Sequence, residues 1–233
     1  MKTQFISITQ RVVLVIALMA TCFTASFAAT EQRTVSGYSR LHIGGAFEVI
    51  LSQGTSEGLT ITAEPEMMSH ILTKVENGTL KITTDNKWRS SGKMKLEIAF
   101  IDLSEIDCSG AIHLSSTAPV KFNEIEIATS GSAKTQLQIT AQKLEVDISG
   151  AGATDLNGKV QKVELDISGS GKFIAPDLTS DTYEINISGA GHAEVFAANS
   201  LDVSVSGSGL VKYKGNPRIS QDISGSGKII RLE

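Results

Sequence analysis

The chain is poor in aromatic residues, cysteine, proline and positive charge. Of its 233 residues, 5% are aromatic, 4 are proline and 2 are cysteine, and 21 Lys and Arg stand against 25 Asp and Glu. A net charge of -4 gives no attraction to nucleic acid or anionic lipid, because phosphate binding depends on clustered Lys and Arg. A hydrophobic content of 41% is still enough for a core, which excludes a wholly disordered chain. We therefore expect a folded domain that does not bind nucleic acid.

The first 28 residues have the pattern of a secretory signal peptide. Lys2 and Arg11 flank a polar segment, and residues 12–23 form the apolar run that follows it. Residues 26–28 read Ser-Phe-Ala, with small side chains at the two positions that a signal peptidase recognises. Cleavage after this segment would leave residues 29–233 as an exported chain with no integral membrane segment.

Two other interpretations of the N-terminus stay open. In one, the apolar run is an uncleaved membrane anchor, although it is short for a bilayer span of about 20 residues. In the other, Cys22 carries a lipid, although Thr21 is not the small Gly, Ala or Ser that usually precedes such a cysteine. We expect export to the periplasm, outer-membrane surface or exterior of a Gram-negative cell. After cleavage only Cys108 remains, so no intrachain disulfide can form.

One short string, Ser-Gly followed by a small residue, occurs seven times with its serines 18–21 residues apart. Seven serines recur without an accompanying base, which favours structural turns over a nucleophilic site. In a stack, their hydroxyls would form a ladder, each able to donate to one neighbour and accept from another. Glycine is expected there because positive φ or close backbone approach excludes a Cβ atom. The predicted turn residues are Ser109, Gly110, Ser130, Gly131, Ser149, Gly150, Gly152, Ser168, Gly169, Gly171, Ser188, Gly189, Gly191, Ser206, Gly207, Gly209, Ser224, Gly225 and Gly227.

Apolar and polar residues alternate in front of each serine. Before Ser168, for example, the residues at 163, 165 and 167 are Val, Leu and Ile, and those between them are acidic. This period of two predicts a strand with one buried face. A unit of about 19 residues is too short for a strand and a crossover helix, so it predicts one coil of a parallel β-helix. Equivalent side chains of successive coils would then stack in columns about 4.8 Å apart.

We predict a single β-helix domain over residues 29–233, after a signal peptide at residues 1–28. Residues 104–233 hold the regular repeats, and residues 29–103 form irregular first coils and a cap. A cap is expected because the end of a solenoid exposes unpaired strand edges.

Two local patterns lie within the irregular part. Asn77-Gly78 between two apolar positions predicts a hairpin turn. The apolar spacing within residues 65–75 predicts a short helix with Pro65 near its first turn.

The order of these segments resembles a known family. Asn-Gly-Thr-Leu-Lys-Ile at residues 77–82 and Met-Lys-Leu-Glu-Ile at 94–98 precede the serial Ser-Gly-[Ala/Ser]-Gly strings, and Val-Lys-Tyr-Lys-Gly-Asn-Pro follows at 211–217. This order resembles the family of unknown function called putative auto-transporter adhesin, head GIN domain, over about residues 35–231. The resemblance implies a right-handed, pectin-lyase-like superhelix with tight Gly-Ser-Gly turns, no retained catalytic residues and a role in cell adhesion. We therefore predict an all-β fold, a right-handed parallel β-helix.

Acidic residues also recur in register with the serines. Stacked carboxylates repel one another, and Ca²⁺, which takes six to eight oxygen ligands, would relieve the repulsion. The alternative is a solvated face relieved by Lys143 and Lys162 and by raised carboxylate pKa values. We favour the alternative because neighbouring columns point straight outward, and we predict no metal and no cofactor. The acidic positions are Asp107, Asp147, Asp166 and Asp222, with Asn186 in the same column, and Glu105, Glu126, Glu145, Glu164, Glu184 and Asp202 in a second column.

The remaining candidate residues each have two interpretations. Trp88, between Lys87 and Arg89, contacts a sugar ring or a partner in one interpretation and covers the edge of the solenoid in the other. Cys108 occupies the position of Ile148 in its repeat, which predicts a buried thiol. The four histidines follow no metal-ligand spacing and are expected at the surface or in packing.

We predict a non-enzymatic, adhesin-like interaction module at the cell surface or envelope, with an unidentified protein or glycan as its partner. One alternative is a carbohydrate-binding or carbohydrate-active β-helix in which Asp147 and Asp166 serve as acid and base. Another is a periplasmic structural protein without an external ligand. Association into a homo-oligomer stays open.

Overall fold

The computed structural model describes residues 28–85 and 94–232. These residues form an all-β solenoid of about 7 turns with coils about 19 residues apart, so the predicted β-helix is confirmed. Residues 1–27 of the predicted signal peptide lie outside the described residues, as does Trp88. No helix in the described part of the chain is both long and apolar enough to cross a bilayer.

The described residues form eighteen strands and one short helix, α1 (Pro65–Met68). The strands are β1 (Ala29–Arg33), β2 (Arg40–Gly45), β3 (Glu48–Gln53), β4 (Gly58–Ala63), β5 (Ile71–Glu76), β6 (Thr79–Thr84), β7 (Lys95–Phe100), β8 (Glu105–Gly110), β9 (His113–Ser116), β10 (Val120–Lys121), β11 (Glu124–Gly131), β12 (Lys134–Gly150), β13 (Ala153–Gly169), β14 (Lys172–Gly189), β15 (His192–Gly207), β16 (Leu210–Lys214), β17 (Arg218–Gly225) and β18 (Lys228–Arg231).

The strands form one continuous 18-stranded sheet that folds around the core, and each coil contributes to two faces of it, called here the repeat sheet and the opposite sheet. The repeat sheet consists of β6, β2, β8, β11, the C-terminal halves of β12 to β15, and β17. The opposite sheet consists of β7, β3, β9, β10, the N-terminal halves of β12 to β15, β16 and β18. Pairing is parallel, with Ser168 between Ser149 and Ser188. Equivalent residues therefore stack in columns, as the repeat spacing predicts.

Aliphatic columns fill the space between the sheets. Val163 and Leu165 are fully buried, and Ile167 is 2% exposed. Tyr183 stacks on Val163, and its buried hydroxyl donates to the carbonyl oxygen of Leu178 at 3.0 Å. The alternation of apolar and polar residues thus separates core from surface along each strand.

The two glycines of each string are required for different reasons. Gly169 has φ +114°, and a Cβ atom there would lie 2.8 Å from the carbonyl oxygen of Gly150. Gly171 needs no positive φ, but a Cβ atom would lie 2.4 Å from the Cγ2 atom of Ile148 in the core. The first glycine therefore allows the turns to stack, and the second allows the core to close beneath them.

The first coil of the chain is not the first coil of the stack. β2 pairs with β8 on one side and with β6 on the other, and β3 pairs with β9 and β7 in the same way. The coil of β6 and β7 therefore lies at the end of the stack, outside the coil of β2 and β3, although β6 and β7 come later in the sequence.

Antiparallel strands cover this end of the stack. β5 pairs with β6, β4 pairs with β7, and β1 pairs with β4. The guanidinium of Arg33 on β1 donates to the carbonyl oxygen of Ile71 and the hydroxyl of Thr73, both at 2.6 Å, and to the carbonyl oxygen of Met68 at 3.2 Å. One side chain thus joins the outer strand to β5 and α1.

The prediction of a helix within residues 65–75 is wrong for most of that segment. Only α1 is helical, and Ile71–Glu76 is strand β5. The hairpin turn was predicted correctly, since Asn77 and Gly78 both have positive φ, at 51° and 76°, and join β5 to β6. β5 is extended because it pairs with β6, and that pairing outweighs the helical spacing of the apolar residues.

Substitutions at two adjacent positions, one facing the core and one facing solvent, should have very different effects on stability. Ile167→Asp buries an unpaired charge and should lower the free energy of unfolding by about 4 kcal/mol or prevent folding. Asp166→Asn, on the exposed side of the same strand, should change it by no more than about 0.5 kcal/mol. Urea unfolding of both variants measures the difference, and the reverse ranking would contradict the assigned facing.

Candidate functional site

The outer face of the repeat sheet carries three stacked columns of polar side chains. The strand register places them as the sequence spacing predicts, one residue from each coil. The Glu column is Glu105, Glu126, Glu145, Glu164, Glu184 and Asp202, and ends at Ser220; the Asp column is Asp107, Ala128, Asp147, Asp166, Asn186, Ser204 and Asp222; and the Ser column is Ser109, Ser130, Ser149, Ser168, Ser188, Ser206 and Ser224.

Two lysines relieve the repulsion in the middle of the Glu column. The Nζ atom of Lys143 lies 3.3 Å from Glu145 and 2.8 Å from Glu164. The Nζ atom of Lys162 lies 2.5 Å from Glu164 and 3.8 Å from Glu184. Hydrogen bonds from Lys143 and Lys162 lower the pKa of Glu164 below its usual value. Each lysine therefore bridges two coils, as the solvated-face interpretation expects.

Other carboxylates in these columns lack such relief. Burial raises the pKa of Glu126, and the charges of Glu105 and Glu145 raise it further. Burial, followed by the charges of Asp166 and Glu145, raises the pKa of Asp147. Within residues 28–85 and 94–232, no three His, Cys, Asp or Glu side chains are grouped so that they could hold a metal ion. The described acidic face therefore offers Ca²⁺ no ready-made site.

A shallow groove of about 290 Å³ runs along the stack between the Asp and Ser columns. Ile148, Ile167 and Ile187 separate the two columns in sequence, and their side chains are at most 2% exposed. The floor of the groove therefore lies at these buried isoleucine positions, between the two polar columns. Its lining residues are Asp147, Ile148, Ser149, Asp166, Ile167, Ser168, Asn186, Ile187, Ser188, Ser204 and Ser206.

The hydroxyl ladder expected along the Ser column is not formed. The groove serines are exposed, and among the described contacts none joins one of these hydroxyls to the next. The backbone joins the turns instead, since the amide of Ser170 donates to Gly150 at 2.9 Å and that of Ala190 donates to Gly169 at 2.8 Å. Because the serine side chains point outward, their hydroxyls stay available to a ligand.

The histidines and the cysteine lie outside the groove. Each histidine has a polar partner: His42 with Asp107, His70 with Asp85, His113 with Gln136, and His192 with Glu194. Cys108 is fully buried, as its place in the repeat predicts, and burial raises its pKa to about 12. A thiol with this pKa is a poor nucleophile at neutral pH. Trp88 lies outside the described residues, so both of its interpretations stay predictions.

The family model for the putative auto-transporter adhesin, head GIN domain, matches residues 37–217. The chain belongs to this family. No curated protein matches it.

Solved structures of similar proteins cover nearly the whole chain. The chain is similar to a putative adhesin from Bacteroides fragilis NCTC 9343, with a TM-score of 0.84 and 26% identity over 89% of this chain and 98% of that one. It is also similar to a putative lipid binding protein from Parabacteroides distasonis ATCC 8503, with a TM-score of 0.72 and 25% identity over 90% and 98% of the two chains. A putative adhesin from the same organism, at 20% identity and a TM-score of 0.75, shares the fold over 89% of this chain and 98% of that one.

Sequence reasoning missed one property of this family member, the separation of charge between its two sheets. From residue 104 onward, the described strands of the repeat sheet hold many more acidic than basic residues, whereas those of the opposite sheet hold more basic ones. A usable signal was present, because Lys134, Lys172, His192 and Lys228 directly follow the glycine turns. The repeat sheet holds Glu105, Asp107, Glu124, Glu126, Glu145, Asp147, Glu164, Asp166, Asp181, Glu184, Asp202 and Asp222 against Lys143, Lys162 and Arg218; the opposite sheet holds Lys121, Lys134, Lys159, Lys172, Lys212, Lys214, Lys228 and Arg231 against Asp155, Asp177 and Glu194.

Asp147→Asn should stabilise the fold at neutral pH. The raised pKa means that the charged carboxylate costs stability above that pKa, and removing it should add about 0.5 kcal/mol. The gain should disappear as the pH falls through the raised pKa, because the wild-type carboxyl is then neutral. Urea unfolding across the acidic pH range measures this.

Glu164→Gln is the matched control, because the pKa of Glu164 is lowered. Its carboxylate stabilises the fold above its unfolded-state pKa, and this contribution is lost as the pH falls through the folded-state pKa. The control should therefore be destabilising at neutral pH. A loss of stability in both variants would contradict the electrostatic account.

Proposed function

We propose that the protein is a non-enzymatic, adhesin-like module whose groove binds a hydroxyl-rich glycan at the cell envelope. The observation that carries this proposal is the pair of polar columns beside the groove, whose serine hydroxyls have no partner in the neighbouring coils. Family membership and the putative adhesins among similar structures support an adhesin-like role.

The groove presents the chemical groups that sugar hydroxyls bind. Asp147 and Asp166 accept hydrogen bonds, Asn186 both donates and accepts, and the serines do either. The same arrangement repeats at each coil, about 4.8 Å along the stack. An extended polymer of similar units would contact several coils at once, so many weak contacts would add up to useful affinity.

The sign of the charge restricts the ligand. The repeat sheet is acidic, and the carboxylates of Asp147 and Asp166 lie in the groove itself. A polymer of uronic acids would be repelled, whereas a neutral or amino-bearing glycan would not. We therefore expect neutral and amino-bearing glycans to bind more tightly than acidic ones.

The positions of the two aspartates favour binding over cleavage. Glycoside hydrolysis uses two carboxyl groups that flank the scissile bond. Asp147 and Asp166 project from one column, in adjacent coils, and so face the same side of a bound chain. This arrangement recurs with the repeat, whereas a catalytic site usually departs from it.

The test of the groove is binding to immobilised neutral, amino-bearing and uronic-acid glycans. The double variant Asp166→Asn, Ser168→Ala should weaken binding about tenfold or more, since it removes hydrogen-bonding groups from the centre of the groove. The control, Asp155→Asn, makes the same change of charge in the same strand on the opposite sheet. Failure to bind any glycan, or equal loss in variant and control, would contradict the proposal.

Location at the cell surface needs a separate test. Protease added to intact source cells should degrade this protein while a known periplasmic protein survives, because a surface adhesin is exposed outside the envelope. Protection until the envelope is broken would favour the alternative of a periplasmic structural protein.

A further inference from the structure

We propose that two copies of the chain associate end to end through strand β17, related by a two-fold axis at Gln221. This inference is independent of the glycan proposal, because it rests on the end of the stack and not on the groove.

The two ends of the described solenoid differ. Antiparallel strands cover the end formed by β6 and β7, whereas β17 pairs only with β15 and β18 only with β16 among the described strands. All eight residues of β17 are exposed. Ile219, Ile223 and Ile230 in this coil are 39%, 37% and 44% exposed. This coil therefore presents an unpaired strand edge together with apolar side chains, a combination that favours pairing with another strand.

Gln221 is the polar exception in an apolar column. Ile219, Gln221 and Ile223 stack on Leu201, Val203 and Val205, which are buried in the core. Covering Gln221 with another apolar coil would leave its amide buried without a hydrogen-bond partner, which is unfavourable. The occupant of this edge must therefore offer a hydrogen-bonding group opposite Gln221.

A second copy meets this requirement because the inward pattern of β17, Ile-x-Gln-x-Ile, is symmetric. Antiparallel pairing centred on Gln221 places Gln221 opposite Gln221 of the second copy, where each amide can donate and accept. The same register places Ile219 of each copy opposite Ile223 of the other, so this apolar pair occurs twice. Apolar side chains then meet apolar ones, and the edge amides and carbonyls pair.

The outward side chains of the two copies are complementary in charge. In this register, Arg218 lies diagonally across from Asp222 of the second copy, within reach of a long side chain, and the pair occurs twice. Head-to-tail association would instead pair β17 with β1 or β5, and neither of these strands carries the symmetric Ile-x-Gln-x-Ile pattern that matches Gln221 to a polar partner. The association is therefore isologous and stops at two copies. It also places the grooves of both copies on one continuous face.

Analytical ultracentrifugation of the purified protein tests the stoichiometry. Wild type should sediment as a dimer, and Gln221→Glu should weaken association at least tenfold, because it places two like charges at the axis. Gln138→Glu makes the same change at an exposed position of β12, far from this edge, and should leave the dimer unchanged. A monomeric wild type, or equal effects of the two variants, would overturn the proposal.

Cysteine cross-linking tests the register. Under mild oxidation, Gln221→Cys should give a disulfide-linked dimer, since directly opposed residues have Cβ atoms about 4.5–5.5 Å apart. Ile219→Cys alone should not cross-link, whereas Ile219→Cys combined with Ile223→Cys should. The buried Cys108 is retained throughout as an internal control. Cross-linking of Ile219→Cys as readily as Gln221→Cys would exclude a two-fold axis at Gln221.

Discussion

Close stacking of the glycine turns holds every coil in register with the next. A Cβ atom on Gly189 would lie 2.6 Å from the carbonyl oxygen of Gly169, so no other residue fits without moving one coil away from its neighbour. The amide after each turn glycine then donates to the coil before it. Because the register is set at the turn, both the core columns and the surface columns follow from it. The groove is a direct result, since it is the space between two columns that begin at the same turn.

The same register imposes an electrostatic cost. Equivalent carboxylates must stack on one another, and the chain offsets the repulsion at Glu164 with two lysines that bridge coils. At Asp147 it does not, and burial, followed by the charges of Asp166 and Glu145, raises the pKa of that carboxyl. A costly carboxylate that lies in the groove fits a role in binding, because functional positions are where a chain departs from its most stable arrangement.

Much of this architecture could be predicted from the sequence because the repeat is local. Alternation before each serine identified the buried face, including Cys108, and the spacing identified the columns. Features that depend on distant pairing could not be predicted in this way. β5 is a strand because it pairs with β6, and the apolar spacing of residues 65–75 gives no indication of that pairing. The expected serine ladder failed for another reason, since the backbone amides already join the turns and the side chains point outward.

The order of the first coils has a consequence for folding. A regular coil pairs with residues about 19 positions away, so the body of the solenoid can grow by local addition. β2 must instead wait for β6 and for β8, whose Glu105 pairs with Arg40 across 65 positions of sequence. During synthesis from the N-terminus, the edges of β2 therefore remain unpaired until both later strands have emerged. The covered end can therefore form its β5–β6 hairpin early, but although it is first in the sequence it cannot complete its native pairing until β8 has emerged.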